Sequence, residues 1–413
     1  MQQAYHLAKI WKNQWADSDK IKAIQERSLA RLYYAASQSP YYQALFGKHS
    51  YKELNLDNLA NLPLLTKTTV KEESHRLLSG AHERDKLLQE KTGGSTGKPT
   101  QIYRTRESTY WSRAAKLRTF FANGYSLFGR TAKVSYYPAG KKIYHRFGIH
   151  RYINVNYDIS VEEQVKRICE TKPKFIEGFA SGIEDIAKYG IEHGIKLPYP
   201  RQIFTNSESI NDSIRQTIEK AFGCNPIDVY ATTEAKWVAW ECERHEGYHI
   251  NSDLVIVEIV DDDGQPCEAG EVGNIVLTDL TNTGMPFIRY AIEDVGAMAI
   301  TGCSCGRTFP LIKQVYGKTI EFIKLPGGMQ KPGAPLLSSE LAIFTAIDRY
   351  KVVQKKDDSL EVKVKLMPGK VIDTDEVKRR ITRVCDGLEC NVRIVSDLDK
   401  TEGGKFLPFT REK

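Results

Sequence analysis

Apolar residues recur along this chain at two spacings, and the change from one to the other marks the changes in fold. At residues 18–36, Ile21, Ile24, Leu29 and Leu32 share one face of a helix; Ser18 is placed to cap it and Pro40 lies just beyond. A second helix is expected over 107–123, from Glu107 to just before Gly124. Residues 160–230 alternate helix and strand. Ser160 precedes a helix carrying Val161, Val165 and Ile168, a short strand is expected at 174–177, and a helix then runs to about His193. A strand at 202–205 follows. Asn211 caps a helix with Ile214, Ile218 and Phe222 on its apolar face, closed by Gly223, and 227–230 is the next strand. Strands alternating with helices imply parallel pairing in a layered α/β body.

Beyond residue 250 the period shortens to that of strands. The apolar run 254–260, the turn at 261–264 and a returning strand at 274–278 predict an antiparallel hairpin or small barrel added to the body. Near Gly317 the character changes again. An alternating strand at 360–366 is followed by a helix over 374–384, with Val377, Ile381 and Val384 in phase, and by a last strand at 391–395. The expected organisation is an N-terminal α/β body of residues 1–317 and a small α+β unit of residues 318–413, with a Gly/Pro-rich link at 325–335.

Composition narrows the reading only a little. The 413 residues include 59 Lys or Arg and 52 Asp or Glu, for a net charge of +7. The charges look dispersed, which predicts a solvated surface and no nucleic-acid face. No apolar run approaches the roughly 18 residues of a membrane span. The first residues, MQQAYHLAKIWKNQ, lack the apolar core of a signal peptide. Eight cysteines in so long a chain do not make a disulfide scaffold, so a reducing, cytoplasmic setting is expected.

The candidate chemistry begins at residues 91–100, KTGGSTGKPT. Gly93, Gly94 and Gly97 allow successive N–H groups to face one anion; Thr92, Ser95 and Thr96 add hydroxyl donors and Lys98 a charge. It is not a Walker loop, because Pro99 stands where Ser or Thr would follow the lysine. In α/β sheets ligands bind beyond the carboxyl ends of strands. Ser207 and Glu208 follow one such end, and Ala231, Thr232, Thr233 and Glu234 follow another, so the two loops are expected to meet at one crevice.

Taken together, the Gly-rich stretch, YATTE at 230–234, LTNTGMPFIRYAIED at 280–294 and TEGGK at 401–405 resemble, in order and spacing, the adenylate-forming ligases, and within them the phenylacetate–coenzyme A ligase group with its capsule-locus relatives. The resemblance spans nearly the whole chain. It implies that Thr92–Lys98 holds the β- and γ-phosphates of ATP, that Thr233 donates to the α-phosphate and that Glu234 holds Mg²⁺. It further implies that Tyr230 and its neighbours face the adenine, that Asp294 accepts from the ribose hydroxyls, and that Lys405, on a mobile C-terminal lid, contacts the carboxylate and the α-phosphate. Tyr136, Tyr137 and Pro138 fall where the family borders its acyl pocket. Arg289 is either a direct ligand of the nucleotide or a structural ion-pair former. At the hinge, where the family carries Gly-Arg and acidic residues, this chain has Gly317-Lys318 and Glu321. Lys318 can reach a ribose or phosphate oxygen but cannot reproduce the arginine fork.

A second constellation is Cys242, His245, Cys303 and Cys305, with His249 as an alternative to His245. Three thiolates and an imidazole make a closed structural zinc site. The expected activity is therefore ATP-dependent activation of a carboxylic acid, aryl or arylacetic by resemblance, with release of pyrophosphate and transfer to coenzyme A. An amine or a carrier-protein thiol is the other acceptor the resemblance leaves open, and a non-catalytic nucleotide-binding scaffold the alternative of another class. A homodimer is compatible with all of these.

Overall fold

The computed structural model describes residues 2–49, 52–91, 100–136, 140, 143–208, 210–318, 321–327, 330–399 and 406–412. The chain divides into two compact units, Met1–Val315 and Tyr316–Lys413.

Five helices open the first unit: α1 (Gln2–Trp11), α2 (Ser18–Ser37), α3 (Pro40–His49), and the short α4 (Leu56–Leu59) and α5 (Lys67–Glu72). The cap of α2 is Asp17, whose carboxylate accepts from the Lys20 N–H at 2.8 Å, and Ser18 is the first helical residue. Pro40 does not merely follow α2; it starts α3, where its missing N–H costs nothing. An antiparallel hairpin, β1 (Leu88–Lys91) with β2 (Gln101–Arg104), leads into α6 (Arg106–Ala122), which Thr105 caps.

The body of the unit is one sheet of eleven strands. Five are parallel: β3 (Thr131–Ser135), β4 (Tyr152–Asn156), β5 (Phe175–Gly178), β6 (Gln202–Asn206) and β7 (Ile227–Thr232), in the order β4-β3-β5-β6-β7. Helices α7 (Val161–Thr171), α8 (Ala180–Glu192) and α9 (Asp212–Phe222) connect them. Ser160 and Asn211 cap α7 and α9 through their side chains, and Gly223 ends α9 in the left-handed conformation, as the pattern predicts. The apolar faces of these helices close a core around Val134, Ile168, Ile176, Ile183, Ile203 and Phe222.

Beyond β7 the sheet turns antiparallel. β8 (Lys236–Glu241) hairpins back from β7, and β9 (Tyr248–Ile250) pairs with β8. The predicted hairpin is β10 (Val255–Val260) with β11 (Val272–Asp279), followed by β12 (Tyr290–Met298) and β13 (Leu311–Lys318). These strands form no separate barrel. They continue the same sheet, because β13 pairs with β9 and carries the ladder across.

The second unit is a four-stranded sheet ordered β18-β17-β16-β19, from β16 (Ile347–Gln354), β17 (Leu360–Leu366), β18 (Cys390–Ile394) and β19 (Phe409–Arg411), with α10 (Gly333–Leu341) and α11 (Thr374–Val384). The stretch 325–335 is not a plain link. There β15 (Gln330–Pro332) pairs back on β14 (Phe322–Lys324), and α10 starts at Gly333. Val352, Val362, Val377, Ile381 and Phe409 fill the core.

Candidate active site

The β7–β8 connection is a tight turn. Thr232 pairs with Lys236, the Thr232 hydroxyl accepts the Ala235 N–H at 2.9 Å, and Lys236 takes a left-handed φ of 64°. This places Thr233 and Glu234 at the carboxyl end of β7. Arg104, only 1 % exposed at its side chain, fixes the turn from below. One guanidinium nitrogen lies 3.2 Å from Asp279, and the other donates to the carbonyl of Thr233 at 2.9 Å and to that of Glu234. Glu90 of β1 lies 3.5 Å from the Arg104 Nε and also bonds Lys236. The base of the β1–β2 hairpin is thereby tied to the turn that carries Glu234. The Gly-rich stretch Thr92–Lys98, which joins β1 to β2 in sequence, lies outside the described residues, as do Tyr137, Pro138 and Lys405.

Asp294 reaches the same neighbourhood through a bulge. Between the pairs Asn274–Val295 and Val276–Ala291 three residues of β12 oppose one of β11, and Glu293 adopts a φ of 65°. Such an insertion re-aims a side chain. The Tyr230 hydroxyl donates to Asp294 Oδ2 at 2.7 Å, and the Tyr290 hydroxyl to Glu234 Oε1 at 3.2 Å. Burial, then the Asp294 charge, raises the Tyr230 phenol well above its ordinary value; burial, then Glu234, does the same for Tyr290. Both phenols therefore stay protonated as donors across the working range. Each of these two hydrogen bonds comes from a neutral donor, which orients the carboxylate without adding charge.

The remaining sites fall as follows. Ser207 sits at the carboxyl end of β6 with a φ of 69°, and its hydroxyl donates to Asn206 at 3.0 Å. Glu208 accepts the N–H and hydroxyl of Ser181 at 2.9 and 3.1 Å, closing the first turn of α8. Tyr136 lies 4.7 Å, ring to ring, from Tyr157, which lies at 5.8 Å from Phe179 with the two rings nearly parallel. Tyr157 lies so close over α8 that a Cβ on Gly182 would stand 2.0 Å from its hydroxyl, so only glycine fits there. Of the two readings of Arg289 the structural one holds. Its guanidinium group is 2 % exposed and binds Glu258 at 3.0 Å and the carbonyls of Ala60, Leu62 and Gly264 at 2.5–3.0 Å, which consumes its donors in an internal brace. In the second unit the Lys318 N–H donates to Glu321 Oε1 at 3.0 Å. Gly317, at a φ of 102°, allows that approach, since a Cβ there would stand 2.6 Å from Glu321.

No protein-family model matches the chain. It is 24 % identical to a phenylacetate–coenzyme A ligase of Thermus thermophilus over 94 % of this chain and 96 % of that protein. It is 25 % identical to the protein CapK of Staphylococcus aureus over 66 % and 62 % of the two chains. Its coordinates superpose on those of 2-hydroxyisobutyryl-CoA ligase, solved in the postadenylation state with R3-HIB-AMP, with a TM-score of 0.79 over 97 % of this chain and 92 % of that one, at 16 % identity. The fold is that of the adenylate-forming CoA ligases. Within it, Tyr230, Glu234 and Asp294 stand together at the carboxyl edge of the sheet, while Arg289 belongs to its support.

The thiol cluster lies at the other end of β8, about 20 Å away along six residues of strand. Cys242, Cys303, Cys305 and His249 bring their ligand atoms within 4.8 Å of one another. Cys242 and Cys303 stand 3.6 Å apart, and Cys305 lies 3.4 Å from His249 Nε2. Burial holds the imidazole neutral, down to about 4. His245 is not part of this group. It occupies the β8–β9 turn with a φ of 52° and faces Glu241 at 3.3 Å and Arg215 at 3.2 Å. The pairing of His249 with Leu311 on β13 is what carries it to the Cys303–Cys305 loop. Soft sulfur and imidazole donors at these separations suit tetrahedral zinc.

The sequence alone does not mark Arg104 as a site residue. Its only local sign is its place just before the Thr105 cap, and apart from Glu90 on the neighbouring strand its partners Thr233, Glu234 and Asp279 are distant along the chain.

Proposed function

We propose that the chain is an AMP-forming acid ligase. It activates a carboxylic acid with ATP, releases pyrophosphate, and passes the acyl group to a thiol, coenzyme A by likeness to the named relatives. The observation that carries this is the meeting of Tyr230, Glu234 and Asp294, from segments sixty residues apart, at the edge where an α/β sheet binds its ligand. In-line attack on the α-phosphorus brings two anions together, so the protein's part is positioning and charge neutralisation. Thr92–Lys98 cradles the outer phosphates, Thr233 donates to the α-phosphate, and Asp294 receives the ribose hydroxyls. Lys405, from the C-terminal lid, neutralises the attacking carboxylate. Glu234 offers the oxygen donor that Mg²⁺ prefers, and the bound ion supplies charge neutralisation. Cys242, His249, Cys303 and Cys305 hold a structural zinc, because a site closed by four protein ligands leaves no position for substrate.

The test is product identity. Purified protein is incubated with MgATP, coenzyme A and a panel of aryl, arylacetic and short hydroxy acids, and the nucleotides are separated. AMP formed in proportion to one acid and to the matching thioester supports the reading. ADP and phosphate with any acid, or nucleotide binding without turnover across the panel, overturns it.

A further inference from the structure

The edge of the sheet opposite the crevice is strongly basic. Directly before the parallel strands β4, β3, β5 and β6 stand Arg151, Arg130, Lys174 and Arg201. The register pairs Tyr152 with Thr131, Thr131 with Phe175, and Phe175 with Gln202, so the four preceding cations form one row across neighbouring strands. At a strand spacing of about 4.8 Å the row spans roughly 15 Å. All four are exposed. The loops that build this edge, residues 123–130, 143–151, 172–174, 194–201 and 223–226, hold seven Lys or Arg and no Asp or Glu. Among the described residues none of the seven is in an ion pair. The expectation of dispersed charge therefore fails here, and the sign was in the sequence: residues 108–157 carry nine Lys or Arg and not one acid, more than the net +7 of the whole chain.

Apolar side chains stand exposed beside the cations. Phe128 is 67 % exposed, Ile143 69 %, Phe147 74 % and Tyr199 67 %. The loops bearing the first three are pinned to each other by the His150 N–H bonding the Leu127 carbonyl at 2.6 Å and by Tyr125 bonding the His150 ring at 3.0 Å. They form a built rim.

We propose that this edge rests on an anionic lipid surface, with the crevice turned away from it. Basic residues at an anionic leaflet and apolar side chains in its interfacial zone are the two forces of peripheral membrane attachment. An acidic carrier protein docked here would be a strand's length, about 17 Å, from the crevice that its thiol must enter. A second copy would set like charges against each other. Nucleic acid would satisfy the cations, yet Ile143 gains nothing from a base and partitions readily into a bilayer interface.

The test is co-sedimentation of the full chain with vesicles. Phosphatidylcholine vesicles with roughly one-third phosphatidylglycerol should carry the protein down, pure phosphatidylcholine should not, and about 0.5 M salt should release it. Arg130→Glu with Arg151→Glu and Lys174→Glu should weaken binding by roughly 100-fold. Phe147→Ala with Phe128→Ser should weaken it less, at unchanged melting temperature and unchanged nucleotide turnover. Should the charge-reversed protein fold poorly, the glutamine variants at the same three positions serve, with a smaller loss. Sedimentation independent of lipid charge, no sedimentation at low salt, full release by an equal phosphate concentration of duplex DNA, or a dimer that the Phe147 variant dissociates would each overturn the proposal.

Discussion

Glu234 and Glu241, near the two ends of strand β8, are held in opposite ways. At the β7–β8 turn Glu234 accepts from the Tyr290 hydroxyl, and Asp294 of β12 accepts from the Tyr230 hydroxyl; both are neutral donors. At the far end both oxygens of Glu241 accept from one nitrogen of the Arg215 guanidinium, at 2.9 and 3.1 Å, and Glu241 also accepts the Asp228 N–H at 2.8 Å. An ion pair of that kind fixes the carboxylate and balances its charge. A neutral hydroxyl donor orients a carboxylate without adding a charge of its own. Glu241, matched by the half-buried Arg215, belongs to the frame. If that distinction is right, substitutions at the first end should strike turnover and those at the second should strike stability.

The largest expected effect is that of Lys405→Ala. Adenylate formation should fall on the order of 10³-fold, the loss of a donor aimed at developing charge, while ATP affinity measured by calorimetry changes only a few-fold. Glu234→Gln, nearly isosteric, should follow with a loss of roughly 100-fold in turnover and an unchanged melting temperature. An unfolded Glu234→Gln protein would place that acid in the frame and break the comparison. At the other end, the chain should purify with about one zinc, and Cys303→Ser and His249→Ala should each lower that content. Each should also lower the melting temperature by about 5 °C or more, as a few kcal/mol does in a unit of this size, with turnover at low temperature intact. His245→Ala should leave zinc in place; loss of zinc in that variant would restore His245 as the ligand.

The smallest effect concerns pH. Burial, then the neighbouring Glu241, raises Asp228 to about 7, against 3.8 for the free side chain. Between these values the folded protein keeps a proton that the unfolded chain has released, so this group's contribution is present at low pH and is lost as pH rises toward 7. Asp228→Asn should therefore show a shallower fall in melting temperature from pH 5 to pH 8 than the natural chain. Equal slopes would remove Asp228 from the account.

The parallel half of the sheet was legible in the sequence because its helices are amphipathic and its caps are local: Ser160, Asn211 and Gly223 each act within a few residues. The antiparallel half was legible only at the β10–β11 hairpin. Strands such as β8 (Lys236–Glu241), buried over its last four residues, show no alternation to read. The motif residues Tyr230, Glu234 and Asp294 could be named from order and spacing, but the bulge that turns Asp294 toward Tyr230 could not. The choice between His245 and His249 likewise rests on a pairing between β9 and β13 that spacing cannot reveal. The brace formed by Arg289 reads, in sequence, no differently from an arginine that binds a nucleotide.

The most direct test of the central claim is acid-dependent ATP–pyrophosphate exchange in the absence of any acceptor. It isolates attack of a carboxylate on the α-phosphorus from everything that follows. The account predicts exchange that requires one class of carboxylic acid and Mg²⁺ and that disappears in the Lys405→Ala variant. Exchange that proceeds equally well without acid, or that survives undiminished in that variant, would contradict it.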